Sequence, residues 1–282
     1  MGIEEKRIEV GGLEWYYLEA KPESETDKAP VVLLHGIPAV SFCWTEVMPD
    51  LAQQGFRAIA PDWIGCGLSA KPNKSDFAYT PDAFVEALDG FLTSLNLDRF
   101  HLVVQGFLGS VGLQFALRHP EKVVRLAILN APVTPKAKLP WKIQQLGLPL
   151  VGDMMTQDPL LVDRTLETGS GYTISEQDLD MYRRPFLKSS AAGRSLLTIV
   201  RNLQLKSAMG EIASGFPEWS QPTLVLWGTR DPWLPIDDAK AFAQILEDGE
   251  FIAIEEAGHY PQEHWSEPVI EALVPFLRRM AV

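Results

Sequence analysis

The chain of 282 residues contains little cysteine, no basic cluster and no long apolar run. Its two cysteines, Cys43 and Cys66, are too few for a disulfide framework and lack the CxxC spacing of a metal site. No apolar run approaches the roughly 18 residues that a membrane-spanning helix needs, so none is expected. The opening MGIEEKRIEVGG has no apolar stretch behind a basic end and does not predict a secretory signal. We expect a cytoplasmic protein with two reduced thiols, and neither a metal nor a cofactor.

Positive charge is also scarce. The chain has 25 Lys and Arg against 37 Asp and Glu, which gives a formal net charge of −12. A protein that binds nucleic acid neutralises phosphates with clustered Lys and Arg, so we expect no nucleic-acid partner. A hydrophobic content of 46%, with eight Trp and thirteen Phe, is enough for a core and an apolar pocket. The favoured ligand is a small apolar molecule, and a protein partner stays an alternative.

Short apolar runs without polar alternation recur along the chain. They are VVLL (31–34), FRAIA (56–60), FHLVVQ (100–105), VVRLAIL (123–129), TLVLWG (223–228) and EFIAIEE (250–256). Such runs are typical of strands buried on both faces, and segments of helix length separate them. The pattern predicts an α/β fold with a mostly parallel central sheet flanked by helices.

One long segment lacks these apolar runs. Residues 134–221 contain Leu, Trp and Met at helical spacings, several Pro and Gly, and no convincing strand. We interpret this segment as a helical cap inserted between two strands of the sheet. Residues 1–133 and 222–282 would then form the core.

Four motifs follow one another in the order of a known family. They are LLHGIP (33–38), APDWIGCGLSAKP (60–72), LWGTRDPWLP (226–235) and EEAGHYPQEH (255–264). They resemble, in that order, the oxyanion loop, the D-x-x-G-x-G-x-S turn, the acid-bearing strand end and the histidine loop of α/β-hydrolase fold proteins. Within this family the chain most resembles the branch of haloalkane dehalogenases and epoxide hydrolases. The resemblance covers the whole chain outside the insertion and implies the α/β-hydrolase fold.

The resemblance implies roles for two residues. Asp231 follows the strand TLVLWGT and His259 follows EFIAIEEAG, so both are expected at the carboxyl edge of the sheet. In the family the aspartate holds the imidazole by one nitrogen and leaves the other nitrogen free to transfer protons. We therefore expect Asp231 and His259 to form a catalytic pair.

The nucleophile that the family carries on its strand-to-helix turn is missing from LVVQGFLGSVG (102–112). In the family the nucleophile begins a helix that ends at an H-P or N-P dipeptide fourteen residues on, and Pro120 lies fourteen residues after Gly106. The strand FHLVVQ also ends one residue before Gly106. Both spacings assign the nucleophile position to Gly106. Ser110 is a weaker alternative, because it lies four residues later, inside the predicted helix.

Glycine suits this position once the nucleophile is absent, because the turn imposes a positive φ that costs another residue roughly 1–3 kcal/mol. Leu108 also replaces the glycine that the family has two residues after the nucleophile, so natural divergence is favoured over an engineered exchange. The resemblance places the oxyanion hole at the backbone N–H groups of Ile37 and Phe107. Neither residue has the side-chain donor with which dehalogenases bind halide, so we do not expect a functional haloalkane dehalogenase.

Substrates of this family bind between cap and core, so the resemblance implies an apolar pocket there. Its candidate lining residues come from both parts of the chain: Ile37, Trp63, Phe107, Trp141, Tyr172 and Phe186.

Three functions stay open. In the first, His259 and Asp231 act as a general acid–base pair without a covalent intermediate, on a bound small molecule or on a water beside Gly106. In the second, the chain is a non-catalytic relative that binds a ligand or a protein. In the third, Ser110 is the nucleophile of an ester or epoxide hydrolase. The retained pair favours the first, because a buried imidazole paired with a carboxylate is costly to keep without use.

Overall fold

A computed structural model describes residues 2–279 except 25, 157 and 159. Its strands are β1 (Ile3–Val10), β2 (Leu13–Ala20), β3 (Val31–Leu34), β4 (Ala58–Pro61), β5 (Phe100–Gln105), β6 (Val123–Leu129), β7 (Thr223–Gly228) and β8 (Gly249–Ile254). They form one sheet in the order β1-β2-β4-β3-β5-β6-β7-β8. The first two strands pair antiparallel, and every pairing from β4 to β8 is parallel. The predicted mostly parallel sheet is confirmed.

Helices separate the parallel strands. They are α1 (Met48–Gln53), α2 (Pro81–Ser94), α3 (Gly109–Arg118), α4 (Trp141–Leu146), α5 (Val151–Met155), α6 (Leu161–Ser170), α7 (Glu176–Lys188), α8 (Ser190–Asn202), α9 (Leu205–Gly215), α10 (Ile236–Ile245), α11 (Pro261–His264) and α12 (Ser266–Arg278). In the described ranges no helix has both the length and the apolar composition needed to cross a membrane.

The described residues between β6 and β7 form helices α4 to α9 and no strand. The predicted helical insertion is therefore confirmed. Its proposed limits, 134–221, and the division of the core into 1–133 and 222–282 stay predictions. These ranges include seven residues outside the described part of the chain: 1, 25, 157, 159 and 280–282.

The burial of the strands follows their sequence. All residues of β3, β4, β5 and β7 are buried, as the solid apolar runs require of strands covered on both faces. β1 has the alternating exposure of an edge strand, and it joins β2 through a tight turn. Gly11 and Gly12 have φ of +59° and +78° in that turn, a conformation that glycine adopts without steric strain.

The parallel direction of the strands brings their carboxyl ends to one edge of the sheet. The residues that follow these ends carry the motifs: Gly36 after β3, Gly106 after β5, Asn130 after β6, Asp231 after β7 and His259 after β8. Helix α3, which follows Gly106, packs closely on strand β5. A Cβ built on Gly112 of α3 would lie 2.5 Å from Val104 Cγ1 of β5, so only glycine allows the helix to lie this close to the strand.

Candidate active site

The centre of the site is a buried hydrogen-bonded pair. His259 Nδ1 lies 2.8 Å from Asp231 Oδ2, and the exposed fractions of the two side chains are 0% and 1%. Asp231 comes from the loop after β7, and His259 from the loop after β8. An imidazole held at Nδ1 by a carboxylate has a fixed tautomer, and its Nε2 is available for proton transfer.

The Asp231 carboxylate is held by backbone and side-chain donors. Its Oδ1 accepts from the N–H groups of Trp233 (2.8 Å) and Leu234 (3.1 Å), and its Oδ2 accepts from Asn130 Nδ2 (2.8 Å). The Asn130 Oδ1 in turn accepts from Gly228 N–H at 2.9 Å. The position of Asn130 directly after strand β6 is visible in the sequence, but its bond to Asp231 is not.

Gly106 occupies the turn between β5 and α3 with φ of +67°. A Cβ built on it would lie 2.9 Å from Gly36 Cα and 3.5 Å from His259 Nε2. A Cβ built on Gly36 would lie 2.8 Å from Gly106 Cα. The backbones of the two loops are therefore in contact, and a side chain at either position requires a backbone shift.

His259 Nε2 points into an apolar enclosure. The imidazole is stacked on Phe107 (centroid distance 5.4 Å), and Trp233 and Tyr260 pack edge-on against it at 4.7 and 4.9 Å. Nε2 is buried and has no hydrogen-bond partner among the described residues. A buried polar atom without a partner costs about 1–3 kcal/mol, so a bound molecule that hydrogen-bonds Nε2 would recover this energy.

The Gln105 side chain is hydrogen-bonded to two loops of the site. Its Nε2 donates to the His259 carbonyl at 2.7 Å, and its Oε1 accepts from Gly36 N–H at 3.2 Å. One side chain thus connects the turn after β5 with the histidine loop and the loop after β3. The bonds of Gln105 were not predicted from the sequence, although a fully buried glutamine at a strand end is an unusual residue that needs hydrogen-bond partners.

The His35 ring is neutral, and its hydrogen bonds hold the loop after β3. Its Nε2 accepts from Trp63 N–H at 3.1 Å, so Nδ1 carries the hydrogen and donates to the Gly36 carbonyl at 2.7 Å. Burial lowers the pKa of His35. The Trp63 indole donates to the His35 carbonyl at 3.0 Å and packs edge-on against Phe84. Trp63 is thereby held in the core beneath the loop.

Two backbone donors at the site are unused. No described residue accepts a hydrogen bond from the N–H groups of Ile37 or Phe107, the residues that follow Gly36 and Gly106. Both residues are buried. Unpaired backbone N–H groups are donors that a negatively charged oxygen of a bound molecule could use.

Ser110 lies in the first turn of α3 and is fully buried. Its hydroxyl donates to the Phe107 carbonyl at 2.8 Å. Since His259 Nε2 has no partner, the structure does not join Ser110 to the imidazole.

The predicted lining residues do not all meet. Trp141 is 68% exposed, because Ile143 and Leu146 occupy the buried face of α4 and direct Trp141 outwards. Tyr172 is half exposed and stacked on His264 at 4.2 Å instead of facing His259. The helical phase and this surface stacking could not be read from residue type alone.

Only small spaces are seen over the oxyanion loop in the described residues. One cavity of about 10 Å³ is lined by Ile37 together with Phe186 of α7, and another of about 10 Å³ by Ile37 together with Ile143 and Leu146 of α4. Each has room for about one water molecule. Of the predicted lining residues, Ile37 and Phe186 thus meet at the boundary between core and insertion.

Glu263 is a buried carboxyl close to the histidine loop. Tyr182 of α7 donates a hydrogen bond to its Oε1, and its Oε2 is buried without a partner. Burial raises the pKa of Glu263 to about 7. The hydrogen bond from Tyr182 to Glu263 links the insertion to α11.

Comparison with known proteins identifies the family. The family described as alpha/beta hydrolase fold matches residues 29–264. This chain belongs to the α/β-hydrolase fold family. It is 30% identical to a cis-3-alkyl-4-alkyloxetan-2-one decarboxylase of Shewanella oneidensis. The alignment of 271 residues covers 90% of this chain and 83% of that protein. It is 27% identical to a haloalkane dehalogenase of Mesorhizobium japonicum, over 93% of this chain and 87% of that protein.

Solved structures of α/β hydrolases share the fold throughout. The crystal structure of haloalkane dehalogenase DbeA from Bradyrhizobium elkani has a TM-score of 0.86 at 24% identity and covers 98% of both chains. The epoxide hydrolase CorEH has a TM-score of 0.79 at 23% identity, again over 98% of both chains. The predicted α/β-hydrolase fold is confirmed.

The contact between Gly36 and Gly106 predicts unequal effects of two matched substitutions. Gly171 has nearly the same φ as Gly106, +66°, but a Cβ there would meet nothing within 4 Å. We expect Gly171→Ala to lower the free energy of unfolding by about 1–2 kcal/mol. Gly106→Ala should lower it further, because the Gly36 backbone must also move. Urea denaturation measures both. Equal losses would show that the two loops separate without cost.

The raised pKa of Glu263 predicts a pH dependence of stability. Its ordinary value is 4.5 and its folded value about 7, so the folded protein binds this proton more tightly than the unfolded chain does. The stabilisation is therefore complete below about pH 4.5 and is lost as the pH rises to about 7. We expect Glu263→Gln to gain stability relative to the parent protein across this interval. Urea denaturation at several pH values tests this, with exposed Glu267→Gln as the control. Parallel pH curves for parent and Glu263→Gln would contradict it.

Proposed function

We propose that this chain binds a small apolar molecule between cap and core and converts it by non-covalent general acid–base chemistry. His259 transfers the proton, and Asp231 orients the imidazole. The observation that carries the proposal is His259 Nε2, which is buried and unpaired on a ring held at Nδ1 by Asp231. A substrate atom or a water that bonds Nε2 supplies the missing partner.

The proposal assigns no covalent nucleophile. Gly106 has no side chain to attack a substrate, and the Ser110 hydroxyl is bonded to the Phe107 carbonyl. It also excludes haloalkane dehalogenation as the function of this chain. Ile37 and Phe107 contribute apolar side chains where a departing halide would need donors.

The retained groups suit a reaction through an oxyanion. The unused N–H groups of Ile37 and Phe107 are placed to stabilise negative charge on a carbonyl oxygen, and His259 Nε2 takes a proton from the attacking group. General acid–base catalysis alone contributes about 10²–10⁴-fold, so the substrate must already be activated.

A strained lactone meets this requirement. The Shewanella oneidensis relative is named for oxetan-2-ones, four-membered cyclic esters with alkyl substituents. In the reaction proposed here, His259 Nε2 takes a proton from water while the water oxygen bonds to the lactone carbonyl carbon. The ring C–O bond then breaks, and the departing alkoxide receives the proton. The product is a 3-hydroxy acid.

A second candidate is a non-catalytic binding protein. The glycine at position 106 favours it, because this residue has no side chain that could attack a ligand. In both candidate functions an alkyl lactone can enter only after the insertion moves, since the cavities over Ile37 are about 10 Å³ each. In this alternative the pair of His259 and Asp231 orients a ligand without converting it.

The catalytic proposal predicts slow turnover of a cis-3,4-dialkyl-oxetan-2-one. We expect formation of the 3-hydroxy acid about 10²–10⁴-fold above the uncatalysed rate, without a burst and without a covalent adduct in the intact mass. His259→Ala should abolish the activity, whereas His119→Ala, at the far end of α3, should retain it. Chromatography of the products measures both. Binding without turnover would support the second candidate, and a lactone adduct on Ser110 would establish a covalent mechanism.

A serine hydroxyl at position 106 is expected to give the protein esterase activity. We expect Gly106→Ser to hydrolyse activated p-nitrophenyl esters weakly, because a Cβ at this position lies 3.5 Å from His259 Nε2. The close approach of Gly36 Cα limits the rate. The activity should disappear in Gly106→Ser combined with His259→Ala, and Gly106→Ala controls for the backbone shift. Equal ester hydrolysis by the Ser and Ala variants would contradict the assignment of the nucleophile position.

A further inference from the structure

Exposed apolar side chains are concentrated on one part of the insertion. The described residues expose nine large hydrophobic side chains, and five of them lie between 141 and 154. We name these five the outer cap face: Trp141, Leu148, Leu150, Val151 and Met154. Isolated exposed hydrophobic residues are common on protein surfaces, but such a concentration usually marks an interaction site.

The two helices of this face each have a buried and an exposed side. On α4, Ile143 and Leu146 are buried and Trp141 points the opposite way. On α5, Gly152 packs so closely on Leu146 that an added Cβ would lie 2.1 Å from the Leu146 carbonyl oxygen. α5 therefore turns Met154, 73% exposed, away from the protein.

Leu150 lies between the two helices and is 78% exposed. Its φ of +65° with ψ of −47° is a sparsely populated conformation that costs a leucine roughly 1–3 kcal/mol. The chain thus keeps a large apolar side chain in solvent at a position where glycine would be more stable. Contact with an apolar partner would offset this cost.

The charge of the surrounding chain identifies the partner. Residues 134–156 carry Lys136, Lys138 and Lys142 against a single acidic residue, Asp153, and these four side chains are exposed. This segment is therefore positive by two charges in a chain whose net charge is −12. Lysines beside an apolar face that includes tryptophan are typical of segments that lie on an anionic lipid surface.

We infer that the outer cap face binds the surface of a lipid bilayer with anionic headgroups. The apolar side chains of the face enter the interface, and the three lysines contact the headgroups. The opposite side of α4 lines the small cavity at Ile37, so this one helix separates the lipid from the oxyanion loop. An apolar molecule dissolved in the bilayer would reach the insertion without crossing water.

Co-sedimentation of the full chain with vesicles tests the inference without any substrate, so its outcome is independent of the proposed activity. We expect binding to phosphatidylcholine vesicles that contain phosphatidylglycerol, and weaker binding to phosphatidylcholine alone or at high salt. The triple variant Trp141→Gln, Leu150→Ser, Met154→Gln should bind at least about 30-fold more weakly, because each removes apolar surface from the interface. Ile245→Ser, an exposed apolar residue on α10, is the matched control and should bind like the parent.

A pair of charge variants separates local from total charge. Lys136→Glu, Lys138→Glu, Lys142→Glu should lower binding to anionic vesicles at least about 100-fold, since each lysine near such a surface strengthens binding about fivefold. Lys74→Glu, Lys206→Glu, Lys240→Glu changes the net charge equally at exposed positions elsewhere and should have a much smaller effect.

Three results would overturn the inference. The first is a parent protein that stays in the supernatant with both vesicle types. The second is equal binding by the parent and the triple apolar variant. The third is a dimer in light scattering that the triple apolar variant dissociates, which would assign the outer cap face to a second copy of the chain.

Discussion

The arrangement of the site depends on the backbone contact between Gly36 and Gly106. Because neither residue has a side chain, the loop after β3 and the turn after β5 approach until a Cβ on either would lie within 2.9 Å of the other's Cα. The contact places the next residues on each loop, Ile37 and Phe107, at one point of the sheet edge. Gln105 stabilises it by bonding both the Gly36 N–H and the His259 carbonyl. The imidazole Nε2 therefore lies close to Gly106, 3.5 Å from a Cβ built there.

The hydrogen bonds that hold Asp231 come from outside the turn that carries Gly106. Asp231 is held by two backbone N–H groups and by Asn130, all of which belong to the loops at the ends of β6 and β7. None of these bonds involves residue 106. The carboxylate that holds His259 is thus positioned by residues outside the turn that carries Gly106. This separation is the physical basis of the function proposed here.

The fold could be predicted because its signals are local. Solid apolar runs indicate strands covered on both faces, and the strand-free interval between β6 and β7 indicates the helical insertion. The end of the strand FHLVVQ also predicted that Gly106 lies in the turn before α3, where the structure has it. Trp141 and Tyr172 were predicted to line the pocket only because they are aromatic. The sequence did not show that α4 turns Trp141 to the surface or that Tyr172 stacks on His264. Gln105 and Asn130 were missed because their partners are distant in sequence.

The sequence by itself determined the sheet, the order of the motifs and the residue types at the site, because strand burial and turn chemistry are properties of short segments. Only the tertiary structure decided which of these residues meet. The bonds from Asn130 to Asp231 and from Gln105 to His259 join positions 101 and 154 residues apart. The exposure of the outer cap face likewise depends on which side of α4 and α5 packs on the protein. Side-chain direction and long-range contact arise from packing, and no local pattern encodes them.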